Sequence, residues 1–395
     1  MTLTVVLVLG AAATQSVQAQ RFTVLHTFKG PPDGSAPDGL IRDAVGNLFG
    51  TTQFGGLYNG GGTVFKVTKA GKETVLHNFC SGYNCSDGEH PEGGLTWDTS
   101  GNLCGTTIYG GASDNGVIFE VDAAGQESVL YNFTGGLDGD QPEAKVIEDT
   151  QGNLYGTTTL GGSTDCSGYG CGTVFELSGT GEENLLYSFV GPPDGAKPFG
   201  ALVRDATGNL YGTTFYGGLQ DEGTVFKVSQ TGEETTLYSF CSQNGCTDGA
   251  SPFGGLVRDA DGNLYGTTYL GGNGTCTYGG QGCGTVFKVD KTGTETVLYS
   301  FNGGSDGAHP HRRLLLDEAG NLYGTTYGNA ASNFGTVFKV TKGGKETTLY
   351  SFCSRKHCSD GAYPYGVLIR DSKGNLYGTA EEGGSGYGTV WKLTP

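Results

Sequence analysis

The sequence predicts an all-β chain: a seven-bladed β-propeller of four-stranded blades, its ring closed by the N-terminal strand. Three observations carry this reading. The phrase GNLYGTT and its close variants occurs seven times, at Asn47, Asn102, Asn153, Asn209, Asn263, Asn321 and Asn375, at intervals of 51 to 58 residues. Each period holds four short apolar runs separated by Gly-rich turns, and no segment sustains a helical period. The fourth type of run appears first, at Phe22 to Phe28, ahead of any first run, while the chain stops at Pro395 just after the seventh third run. The seventh blade therefore lacks an outer strand that the N-terminal segment can supply, which removes the open edges of a linear array. A solenoid needs no such complementary ends and would want polar capping repeats.

Within the repeat from Gly255 to Phe301 the strands read GLVRD, NLYGTT, GTVFKV and ETVLYSF in order. In the last, Val297, Tyr299 and Phe301 alternate with Thr296, Leu298 and Ser300, the period of two expected of a strand. The turn between first and second strands reads D-x-x-G-N in every repeat. Asp43, Asp98, Asp149, Asp205, Asp259, Asp317 and Asp371 are accordingly read as turn-capping residues rather than catalytic ones. The 74 glycines belong mostly to such turns and to the pair after the second strand, where they serve backbone conformation. Residues 20–395 are expected to form one propeller domain.

Residues 1–19 read as a signal peptide: an apolar run from Leu3 to Ala13, too short to span a bilayer, then Val17-Gln18-Ala19 as a cleavage pattern, without a basic start. Ten of the 11 cysteines fall into local pairs: Cys80 with Cys85, Cys241 with Cys246, Cys353 with Cys358, Cys166 with Cys171, and Cys276 with Cys283. From the last Phe of a fourth strand to the Asp of the next DG, the three Cys-bearing loops step 8 residues and the four others step 5. Each pair accompanies an insertion, so disulfides pinning extra loop are expected, and with them an oxidising compartment. Two thiols in an isolated loop fall short of a tetrahedral metal site. Cys104 replaces the usual second-strand Tyr and reads as buried filler. A net charge of −17 argues against a nucleic-acid partner.

The repeated words GNLYGTT, GG, GTVFKV and E-x-x-LYSF resemble the GloVer tandem repeat family of exported bacterial proteins, over about Phe22 to Pro395. The resemblance implies an exported repeat protein but brings no reaction and no catalytic residues. Members carry varied C-terminal anchors, whereas no apolar tail follows the last repeat here, so a secreted or periplasmic monomer without a membrane span is expected. The strand pattern is also similar to propellers of the NHL and virginiamycin-lyase kind, which include both binders and enzymes.

All five Cys pairs and the length variation fall in the loops joining fourth to first and second to third strands, which a propeller places on one face. That face also carries D-G-x-x-P at Asp33, Asp87, Asp138, Asp194, Asp248, Asp306 and Asp360, read as Asp-Gly turns with Ca2+ binding as the alternative. The residue after that Pro varies: Asp38, Glu92, Glu143, Phe199, Phe253, His311 and Tyr365. Packing asks for the same residue in every blade, so variation near the channel mouth points to ligand binding. Repeat six departs furthest with His311-Arg312-Arg313, and repeat seven adds Glu381 and Glu382. The expected function is a binding or interaction module for a glycan or protein partner. The alternatives are a lyase with His311 or Tyr365 as base and Arg312 or Arg313 neutralising a uronate, a hydrolase using Asp38 and Glu92, or an envelope scaffold.

Overall fold

In a computed structural model describing residues 20–394, apart from 59, 277–280 and 329–333, seven four-stranded antiparallel blades stand in a ring. The predicted signal peptide lies outside the described residues. Blade five is representative: Val257–Arg258, Leu264–Thr268, Thr285–Val289 and Glu295–Ser300 pair in that order from the channel outward. Blade seven takes its outer strand from the N-terminus. Arg21–Thr27 pairs antiparallel with Thr389–Thr394, setting Phe22 opposite Leu393. Phe22 then stacks on Tyr350 of blade six at 3.8 Å, so the closing strand also contributes to an inter-blade core.

The repeated letters have physical causes. In each second strand the Gly faces an aromatic residue of the third: a Cβ on Gly266 would lie 2.6 Å from the Phe287 ring, and one on Gly378 would lie 2.5 Å from Trp391. In five blades the second Thr of the pair bonds to the Thr that opens the third strand, as in Thr268 with Thr285 at 2.9 Å. The Tyr of LYG donates to the turn aspartate, as Tyr265 does to Asp259 at 2.9 Å. That aspartate also accepts from the backbone and side-chain amides of Asn263, in keeping with a cap. The last Phe of each fourth strand packs edge-on against the next blade's third strand, from Phe28 on Phe65 to Phe352 on Trp391. Among the described residues seven buried apolar clusters result.

One expectation needs correction. The five-residue GLVRD run forms only a two-residue strand, Val257–Arg258 in blade five. The residues before it abut the neighbouring blade around the channel: a Cβ on Gly200 would lie 2.7 Å from the Gly255 nitrogen. This close approach of two backbones is what glycine permits there.

The five cysteine pairs are disulfides, and Cys104 is buried and free. Burial pushes the Cys104 thiol far above its ordinary range, as befits packing rather than reactivity. Disulfides point to an extracellular or periplasmic location. Among the described residues no helix is long and apolar enough to cross a membrane.

Candidate functional site

Two concentric sets of side chains surround the channel mouth, one from each of two repeat positions. The inner set follows the loop Pro: Asp38, Glu92, Glu143, Phe199, Phe253, His311 and Tyr365. The outer set follows the second-strand Thr pair, or its Thr-Ala equivalent in blade seven: Gln53, Ile108, Thr159, Phe215, Tyr269, Tyr327 and Glu381. The sets touch both within blades and, for Gln53 and Glu92, from blade one to blade two. Gln53 donates to Glu92 at 3.0 Å and Thr159 to Glu143 at 3.1 Å, while Phe215 lies edge-on to Phe199 and Tyr327 edge-on to His311.

Arg312 crosses the centre from blade six. Its Nη2 reaches Glu92 at 3.2 Å and Asp38 at 3.5 Å, and its Nε donates to the Tyr365 carbonyl at 3.1 Å. The guanidinium lies 3.8 Å over the Tyr365 ring, whose hydroxyl donates to Glu92 at 2.7 Å. Burial pushes the Asp38 carboxyl up to about 6 although Arg312 pulls the other way. Burial and the charge of Glu92 raise Glu143 to about 8. Burial would lower Arg312, but Asp38, Tyr365 and Glu92 together hold its proton more tightly. Burial, against the pull of the Arg312 charge, raises Tyr365 well above its ordinary value, in keeping with its hydroxyl donating to Glu92.

Beside this centre, blades four to seven form a cup of about 370 Å3 lined by Phe215, Phe253, Tyr269, His311, Tyr327, Tyr365 and Glu381. Its walls are continuous aromatic contacts: Phe253 stacks on Phe199 at 4.6 Å, and His311 lies 4.8 Å from Tyr365. His311 is buried, and burial followed by the Arg312 charge holds it neutral. Burial and the adjacent Glu382 push Glu381 up to about 7, and Glu382 itself is exposed. A cup of this size, mostly aromatic with one carboxyl, is the usual build of a small-ligand site.

The residues singled out from sequence thus divide. Phe253, His311, Tyr365 and Glu381 line the cup, and Phe199 supports it. Asp38 and Glu92 are turned into Arg312 instead, and Arg313 lines the channel below with Glu143. Phe215, Tyr269 and Tyr327 were missed, although comparing repeats at the position after the Thr pair would have found them. The aspartates of D-G-x-x-P spend their oxygens on their own loops: Asp248 accepts from Tyr238, from Ser242 twice and from Gln243.

His26, Asp33 and Glu73 place one metal-ligating atom each within 4.8 Å of one another between blades seven and one. The same Asp and Glu pairing recurs at other blade junctions with Tyr in place of His, for instance Tyr238, Asp248 and Glu295, so packing accounts for the cluster. The Cys80, Cys85 and Glu89 group has its thiols in a disulfide.

Among solved structures, two of the extracellular domain of one B. thetaiotaomicron protein align with this chain. One, described as from a hybrid two-component system, has 12% identity and a TM-score of 0.57, covering 94% of this chain and 39% of that one. The other, described as from a one-component system, has 11% identity and a TM-score of 0.58, covering 93% and 39%. This chain thus spans about two fifths of those domains, and at such identity the likeness is one of fold. A structure named as a gluconolactonase aligns at 13% identity and a TM-score of 0.44, over 77% of this chain and 88% of that one. No curated protein matches the sequence. The model of the Gloeobacter/Verrucomicrobia repeat matches residues 10–168, 62–278 and 273–395, and with these tandem matches the chain belongs to that repeat family.

Proposed function

We propose that the chain is an exported binding module that takes a glycan in the aromatic cup at the channel mouth. The observation that carries this is the convergence of five aromatic rings, His311 and Glu381, from four successive blades, on one cavity of about 370 Å3. The C–H face of a pyranose is apolar and weakly positive, and it complements the negative face of an aromatic ring. Glu381 and the tyrosine hydroxyls supply the hydrogen bonds that orient hydroxyl groups. Arg312 fills the centre of the ring, but the cup stands beside it, so a purely structural role leaves the cup without a purpose. Asp38 and Glu92 are held by Arg312 outside the cup, which disfavours a hydrolytic pair. Five disulfides support a secreted or periplasmic setting, and the propeller domain acts there as a monomer.

The test is a glycan array and a polysaccharide depolymerisation assay on the full chain and on Tyr327→Ala and Phe215→Ala. Glycan binding without product, weakened at least about tenfold in each variant at unchanged melting temperature, is expected. Binding that ignores both substitutions, or silence on the array, overturns the assignment to the cup. Product formation overturns the non-enzymatic reading.

A further inference from the structure

Below the cup, the channel continues as a separate cavity of about 420 Å3 whose walls come from the innermost segments of all seven blades. At the third residue after the loop Pro, four repeats carry the small or apolar Gly94, Ala201, Gly255 and Val367, and repeat one is a residue shorter there. Repeats three and six carry Lys145 and Arg313 instead, and both line the channel. Blades three and six are three apart in a ring of seven, so the two cations approach from facing walls.

Among the described residues neither forms an ion pair with an acidic group. Among the described residues, the ion pairs use Arg204, Arg312 and three histidines, and never Lys145 or Arg313. Arg313 donates from Nε to the Leu256 carbonyl at 3.0 Å, with no protein acceptor for its terminal nitrogens among the described residues. Glu143 lines the same cavity, but burial and the charge of Glu92 raise its carboxyl to about 8, so near neutral pH it offers little counter-charge, and it accepts from Thr159. Arg312, by contrast, has its charge matched by Asp38 and Glu92. In a chain of net charge −17, two unmatched cations inside one cavity are a costly arrangement, and nothing in the packing requires it, since Ala201 and Gly255 fill the same position elsewhere. Burial, then repulsion from Arg313, lowers Lys145 to about 8.

We propose that the channel is an anion site in which Lys145 and Arg313 hold a small oxyanion between them, a phosphate, a sulfate or a carboxylate-bearing molecule, independently of the cup. Charge-assisted hydrogen bonds from the Lys145 ammonium and the free edge of the Arg313 guanidinium would satisfy donors that the protein leaves open. The cavity volume falls within the range of about 300–1,000 Å3 for small-molecule sites.

The experiment is calorimetric titration and thermal unfolding of the full chain at pH 7 with sodium sulfate, sodium phosphate and sodium citrate, each against sodium chloride at matched ionic strength. A saturable heat and a rise in melting temperature with at least one of the three are expected. Response to citrate alone identifies a carboxylate ligand, and response to sulfate or phosphate a tetrahedral oxyanion. Lys145→Ala and Arg313→Ala should each weaken binding at least tenfold, and their combination should abolish it while melting no lower than wild type without anion. Lys145→Gln with Arg313→Gln, which keeps polar side chains and removes charge, should behave alike. Absence of any saturable response beyond chloride in the wild type overturns the proposal, as does unchanged affinity in the Gln double variant.

Discussion

Arg312 of blade six donates to Glu92 of blade two at 3.2 Å, so a single side chain ties facing walls of the ring across its mouth. Only 12% of the Arg312 side chain is exposed, and Asp38 shares the same guanidinium nitrogen. A buried ion cluster of this kind need not stabilise more than apolar packing would, but removing its one cation leaves two buried carboxylates unmatched.

Arg312→Gln is therefore expected to cost about 3 kcal/mol at pH 8. The sign with pH follows from Asp38, which burial already places at about 6 with Arg312 present and which rises further without it. A carboxyl whose folded pKa lies above its unfolded value contributes stability that is fully present below the unfolded pKa and lost as pH rises through the folded one. The deficit of the variant should thus be smaller at pH 5 than at pH 8 in urea unfolding. Equal deficits at both pH values would show that charge is not the reason for the loss.

A repeated carboxyl pair sets a second pH dependence. At the start of the outer strands, burial and a neighbouring loop aspartate push Glu73, Glu183, Glu234 and Glu295 up to about 7, beside Asp33, Asp138, Asp194 and Asp248. By the same sign argument, each favours folding below about pH 4.5 and ceases to as pH rises through about 7. Glu295→Gln should match wild type near pH 5 and exceed it at pH 8 by about 1 kcal/mol, allowing for solvent screening of a half-buried group. Thermal unfolding of both proteins across this range checks it, and parallel curves would refute it.

Ring closure rests on the N-terminal strand. Deleting residues 22–28 should lower the melting temperature strongly, and Phe22→Ala alone should cost about 3 kcal/mol by emptying the contact with Tyr350, Phe352 and Trp391. Unchanged thermal stability of the deletion would mean that the ring does not depend on this strand.

The second-strand glycines are packing residues. Gly266→Ala would place a methyl 2.6 Å from the Phe287 ring, with the Leu256 side chain 3.0 Å away on the other side. A loss of about 1–3 kcal/mol is expected from urea unfolding, the size of a typical overpacking defect. A variant as stable as wild type would show that the blade repacks freely.

Much of this molecule was legible in one dimension because it repeats. Seven copies of Gly facing Phe or Trp and of Asp capping Asn, with five of Thr facing Thr, are local relations between neighbouring strands, so they leave nearly the same letters in every period and fix blade number, strand order and closure. The cysteine pairs were readable for the same reason, since each bridge spans five to seven residues. Candidate mouth residues were visible as positions where the repeats disagree, among them His311, Tyr365 and Glu92. What those residues do to one another was not visible. That Arg312 would take Asp38 and Glu92 out of play, that Phe215, Tyr269 and Tyr327 would build the cup, and that Lys145 and Arg313 would share a channel without a counter-charge all depend on contacts between blades. Such contacts join residues far apart in sequence, 274 positions for Arg312 with Asp38, and only closure of the ring brings them together.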